Sequence, residues 1–143
     1  MTQFSSPENS PGFLLWHATL RWQRSISAAL TPLDLTHVQF VLLACTWWLN
    51  ERGESPNQLA VATQAGTDVK MTSEVVRKLE RKGLIERMVD PADSRAKTLR
   101  VTAQGARVAR KAIVKVEAVD SDFFGEHTNK AFTSSLRRLA LDT

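Results

Sequence analysis

Three glycines, Gly53, Gly66 and Gly83, punctuate the middle of this chain, and each directly follows an apolar helical pattern. This spacing constrains the fold more than any other feature, because it holds the intervening helices to a few turns and reverses the chain after each one. Thr36 can cap the amide of Gln39, Gln39 can reach back, and Leu35 and Phe40 are placed as a hydrophobic staple, so a helix starts there and runs to about Asn50. After Gly53, the run Ser55-Pro56-Asn57-Gln58 repeats the start signal, with Ser55 as cap and Pro56 first in the helix, and Leu59 and Ala62 facing inward. Ala65-Gly66 makes a tight turn. Thr67 is placed to cap the next helix, whose first residue, Asp68, suits the positive end of the helix dipole. Met71, Val75 and Leu79 recur every four residues as its buried stripe, Thr72 lies at the edge, and Lys70, Ser73, Arg77 and Lys78 are left to solvent or a partner. A left-handed Gly83, with Leu84 touching Leu79, would end it as a Schellman motif.

Residues 84–89 and 97–101 are short and rich in branched side chains, and Asp90-Pro91-Ala92-Asp93 carries proline where a type I turn wants it, so the pair predicts a β-hairpin. Thr102 then caps a long helix with a seam of Ala109, Ala112, Ile113, Val116, Val119 and Phe123, and with Arg107, Arg110, Lys111 and Lys115 on its solvated face. A last helix from about Asn129 carries Phe132, Leu136 and Leu139. Upstream, Leu15, Ala18, Trp22, Ile26, Ala29 and Leu30 stripe a first helix that Pro32 should end. The expected fold class is mainly α with a small β-hairpin wing (α+β). A winged helix-turn-helix spans residues 36–102, flanked by N- and C-terminal dimerisation helices at 13–31 and 103–141. Residues 13–141 form a single domain behind a flexible arm, 1–12, of Ser, Pro, Asn and Gly with little to bury.

A chain of 143 residues, 43% hydrophobic, is long enough for one core. Its formal net charge of +4 suits an anionic partner without requiring one. No stretch approaches the roughly 18 to 20 apolar residues that span a bilayer, since Gln39 and Thr46 interrupt the run at 38–48. The start lacks a basic segment followed by an apolar one, so the expectation is a cytoplasmic protein with no membrane partner. Cys45, alone, forms no internal disulfide; within an apolar helical pattern it reads as a packed, inert thiol rather than a redox switch. His17, His37 and His127 make no metal or catalytic motif, and there is no paired cysteine, glycine-rich phosphate loop or nucleophile elbow. No catalytic residue, metal or cofactor is therefore expected.

Helix, tight turn, helix and hairpin make a helix-turn-helix with a wing, whose second helix fits the major groove of duplex DNA. Lys70, Ser73 and Arg77 would occupy its groove face, with Thr72 at the border. Arg95 at the hairpin tip suits the narrow, strongly negative minor groove, and Asp93 can hold its side chain or the turn amides. Lys97 and Arg100 could add phosphate contacts, and Ser55 with the free amides of the third helix a neutral phosphate site. One such unit gives few contacts, so a homodimer reading half-sites roughly 34–36 Å apart is expected. Of the four tryptophans, Trp16 and Trp47, with His17 and Arg21, are candidates for a site that binds a small aromatic effector; core packing is the competing reading. A winged module that contacts protein instead of DNA is the alternative function.

The run Ser55-Pro56-Asn57-Gln58-Leu59-Ala60, residues 72–80, Lys82-Gly83-Leu84-Ile85-Glu86-Arg87, Asp93-Ser94-Arg95 and residues 99–105 together resemble the MarR family of transcriptional regulators. The resemblance covers about residues 13–141, with its specific part at 55–105. It implies a dimer whose terminal helices interleave, two winged units on a pseudo-palindromic operator, a wing arginine, here Arg95, in the minor groove, and a small effector that weakens DNA binding. The position after Thr72 is often basic in that family and is Ser73 here, so the family's base preferences do not carry over.

Overall fold

Helix α1 (Pro11–Leu30) starts where Ser10 accepts the amide of Phe13 and Pro11 supplies a helical φ at the first position. The structure, a computed structural model, describes residues 3–89, 91–93, 95 and 97–142. Structured sequence thus reaches further into the expected arm than Phe13, with a 3-10 turn at Pro7–Asn9 ahead of α1. A second 3-10 turn, Thr31–Leu33, follows α1 at Pro32 and closes on Asp34, whose φ of 56° is left-handed.

Helix α2 (His37–Glu51) has the reciprocal cap that its sequence predicts: Gln39 N donates to Thr36 Oγ1 and Thr36 N to Gln39 Oε1, both at 3.2 Å. Leu35 and Phe40 are both buried at this corner. Gly53, with φ 83°, ends the helix, and Glu54 N donates back to the Leu49 carbonyl at 3.0 Å.

Helix α3 (Gln58–Ala65) departs from expectation in its register. Asn57, not Ser55, is the cap, accepting the amide of Ala60 at 2.8 Å. Pro56 lies outside the helix because its carbonyl accepts the amide of Leu99 at 2.8 Å, a tie to the wing that holds it extended. Val61 and Ala62 therefore face the core, and Leu59, expected inside, is 61% exposed.

Helix α4 (Val69–Arg81) is shifted likewise. Asp68 is its cap, accepting the amide of Met71 at 2.8 Å, and Thr67 stands one residue before it. The buried stripe is Thr72, Val75, Val76 and Leu79, while Met71 is exposed. Gly83, at φ 75°, gives the expected Schellman stop: Leu84 N donates to the Leu79 carbonyl and Gly83 N to that of Glu80, each at 3.0 Å.

Strands β1 (Ile85–Val89) and β2 (Lys97–Val101) pair antiparallel with Ile85 opposite Val101 and Arg87 opposite Leu99. Ile85 and Leu99 are buried on the inner face. The expected type I turn depends on Asp90, which lies outside the described residues, as does Ser94.

Helix α5 (Ala103–Phe124) is capped by Thr102, which accepts the amide of Gly105 at 2.9 Å, and α6 (Lys130–Leu141) by Asn129. On α5, Ala109 and Ala112 are buried, and Ile113, Val116 and Val119 pack against the core, with Arg107, Arg110, Lys111 and Lys115 outside. Central α2 packs on α1, α3, α4, α5 and β2, so one core with Leu42, Leu43, Val76 and Leu79 at its middle serves the whole winged unit.

Gly105 lies where any Cβ would collide with the Leu84 backbone carbonyl. Gly105→Ala is therefore expected to destabilise the protein by about 1–3 kcal/mol in urea titration, the cost of overpacking against a group that cannot move aside.

Candidate nucleic-acid interface

On α4 the outward stripe carries Lys70 and Arg77, both exposed, and the half-buried Ser73 between them. Their steps of three and four residues keep them on one side of the helix. Thr72 leaves this set. It is fully buried, and its hydroxyl donates to the Asp68 carbonyl at 2.7 Å and accepts from Thr67 Oγ1 at 2.6 Å, so it serves the start of the helix. Ser55 is exposed in the turn before α3, without the capping role expected of it.

The wing tip holds Arg95, with 93% of its side chain exposed. Asp93 directs it in both of the expected ways: Arg95 N donates to Asp93 Oδ1 at 3.0 Å, and Arg95 Nε stands 3.6 Å from the same oxygen. One carboxylate oxygen thus orients both backbone and side chain of a residue that touches little else. Lys97 and Arg100 are exposed on β2.

Three residues that the sequence does not single out hold these elements in place. Asn50, near the end of α2, donates through Nδ2 to the carbonyls of Glu54 at 3.1 Å and Leu99 at 3.2 Å, and accepts the Val101 amide at 2.9 Å. Its amide works as a short extra strand along β2, opposite β1. Arg87 anchors the other side, with Nε 3.7 Å from Glu80 of α4. Lys82, at the end of α4, donates to Gln39 Oε1 at 2.9 Å and to the Asp34 carbonyl, with Asp34 Oδ2 3.5 Å away. It thereby fixes the exit of α4 to the start of α2. In sequence Asn50 reads as a helix-end residue and Lys82 as the residue before the Gly83 stop; only their long-range partners, Val101 and Gln39, reveal them.

The four effector candidates come from two helices, Trp16, His17 and Arg21 from α1 and Trp47 from α2. Trp16 is 63% exposed on α1, the His17 ring meets that of Phe13 at a tilt with centroids 4.5 Å apart, and Arg21 is exposed, whereas Trp47 packs against the core from α2. Trp22, on the apolar stripe of α1, packs against the core, donates from Nε1 to Asp120 Oδ1 at 2.8 Å and meets the His37 ring edge-on at 5.1 Å. Burial lowers the affinity of His37 for a proton, and the Asp120 carboxylate opposes that shift. Cys45 is half-buried, and burial pushes its thiol up, as suits a packing residue. No single helix among the described residues is long and apolar enough to cross a membrane.

The family model for the ArnR1-like winged-helix domain matches residues 32–120, from the turn before α2 to near the end of α5. The chain is 45% identical over 139 residues to the Bacillus subtilis HTH-type transcriptional regulator YdcH, covering 96% of this chain and 95% of that one. The chain belongs to the MarR family of winged-helix regulators. Another relative, the HTH-type transcriptional repressor Rv2887 of Mycobacterium tuberculosis, is 29% identical over 136 residues, which cover 92% of this chain and 94% of its own. Among solved structures, CouR from Rhodococcus jostii RHA1 bound to p-coumaroyl-CoA superposes with a TM-score of 0.85 at 26% identity, over 98% of both chains. The MarR-family wing of this chain depends on Asn50. Asn50→Ala is expected to cost about 1–3 kcal/mol of stability by leaving wing backbone groups unpaired, and to speed hydrogen exchange at the Val101 amide more than at amides of α5.

Proposed function

We propose that this protein is a sequence-specific transcriptional repressor that binds duplex DNA as a homodimer on a pseudo-palindromic operator. The observation that carries the reading is the pair of outward cationic features: Lys70 and Arg77 on α4, and Arg95 held by Asp93 at the wing tip. In this reading α4 lies in the major groove, where Lys70, Ser73 and Arg77 face base edges and phosphates, and Arg95 enters the adjacent minor groove. Lys97 contacts phosphate from β2, and Ser55 does so from the turn before α3. The names of the relatives, a transcriptional regulator and a transcriptional repressor, support the same role, and such work places the protein with the chromosome in the cytoplasm.

Dimerisation is supported by apolar surface that one chain leaves in water. Leu14, Leu15 and Trp16 near the start of α1, and Leu139 and Leu141 at the end of α6, are 49%, 60%, 63%, 83% and 72% exposed. Surface of this kind at both termini suits mutual burial in a two-fold particle, which also sets two reading helices one DNA turn apart. A partner's covering of α1 would also enclose Trp16, His17 and Arg21 and so complete an effector site there. The aromatic acyl thioester in the CouR structure supports an aromatic, anionic effector class.

Two measurements test this reading. Arg95→Ala is expected to weaken operator binding by on the order of 1–3 kcal/mol per site in fluorescence anisotropy, with an unchanged melting temperature because the side chain is exposed. Wild-type affinity should also fall steeply with salt as counterions are released, whereas a module that binds only protein would show no saturable, sequence-selective component. Leu139→Asp is expected to shift the protein to a folded monomer in sedimentation and to weaken operator binding; a normal dimer would remove α6 from the interface.

A further inference from the structure

The outward stripe of α4 carries one residue whose charge opposes the rest. Glu74 is exposed, one turn from Lys70 on one side and from Arg77 and Lys78 on the other. Despite these neighbours, its carboxylate makes no hydrogen bond or ion pair among the described residues. Other acids around this surface are occupied: Asp68 caps α4, Asp93 holds Arg95, and Glu80 pairs with Arg87. A lone carboxylate on a surface that meets phosphates weakens binding to every duplex, unless it finds a hydrogen-bond donor there.

In the major groove that donor has a definite identity. Guanine presents N7 and O6, both acceptors, and thymine presents O4, so each repels a carboxylate. Adenine offers its N6 amino group beside the acceptor N7. Cytosine alone presents an amino donor, N4, with no acceptor next to it on that edge. Ser73, the neutral polar residue of the stripe, can donate or accept and so discriminates weakly among bases. On the reading that α4 enters the major groove, we propose that Glu74 is a specificity-determining residue that accepts a hydrogen bond from the N4 amino group of a cytosine in each half-site. Lys70 and Arg77, which can only donate, then lie over phosphates or guanine edges on either side of that cytosine.

Selection of bound sequences from a pool of randomised duplexes, run with the full-length wild type, Glu74→Gln and Glu74→Ala, tests this. The wild type is expected to return a two-fold symmetric consensus with one cytosine fixed in each half. Glu74→Gln is expected to move that position to adenine, whose N6 and N7 a carboxamide pairs with together. Glu74→Ala should lose preference there and keep every other position. Replacing both cytosines should weaken wild-type binding about tenfold or more, and Glu74→Ala binding by less than about twofold. All three proteins should melt alike, since Glu74 is exposed and Gln and Ala are good helix formers. A Glu74→Ala consensus identical to the wild type, with uniformly tighter binding, would overturn the assignment and leave Glu74 a solvated charge. A wild type that returns no consensus would overturn the groove reading itself, and this assignment with it.

Discussion

The backbone junction between residues 83–84 and 102–105 is the contact on which the rest of the winged unit depends. Thr102 N donates to the Leu84 carbonyl at 3.0 Å, and Thr102 Oγ1 donates to the Gly83 carbonyl at 2.6 Å while accepting the Gly105 amide. Four elements meet there: α4 ends, the wing leaves, the wing returns and α5 begins. The approach is so close that residue 105 can carry no side chain, and the short distance between the two chain segments makes the relative angle of α4 and wing a matter of backbone bonding. Side-chain packing, which adjusts more readily, follows from it.

Around that junction, holding and reading are divided between different residues. Asn50 and Pro56 fasten β2 on the side away from β1, and Lys82 fastens the exit of α4 to Asp34 and Gln39. None of these ties uses Lys70, Arg77 or Arg95, whose charged ends stay in solvent. The residues proposed to meet DNA are therefore free to be desolvated by it without loss of any contact that stabilises the fold, while the bonded ones preset the angle at which they arrive.

Local signals were legible wherever one residue could satisfy them alone. The Thr36 and Gln39 box, the left-handed Gly83, and the Thr102 cap each depend on neighbours within a few positions, and each appears as read. The two misplaced caps lie where residues one or two positions apart were equally able. Ser55 and Asn57 both cap well, and the choice fell to Asn57 because the Leu99 amide claims the Pro56 carbonyl from across the wing. Thr67 and Asp68 were similarly matched, until the Thr67 hydroxyl was drawn to the buried Thr72. Each slip of one or two residues also rotated the buried face, which is why Leu59 and Met71 emerged and Thr72 went in.

The sequence by itself determined the order of elements, the turns between them and the cationic character of α4 and the wing tip, because caps, glycines and apolar spacing act through a few bonds along the chain. Only the tertiary structure decided which side of α3 and α4 faces out, that Asn50 and Lys82 are anchors, and that Trp22 is tied to Asp120. These outcomes rest on contacts between residues about 40 to 100 positions apart, such as Asn50 with Val101 and Trp22 with Asp120. Their energy depends on where the chain returns in space, which no local pattern encodes.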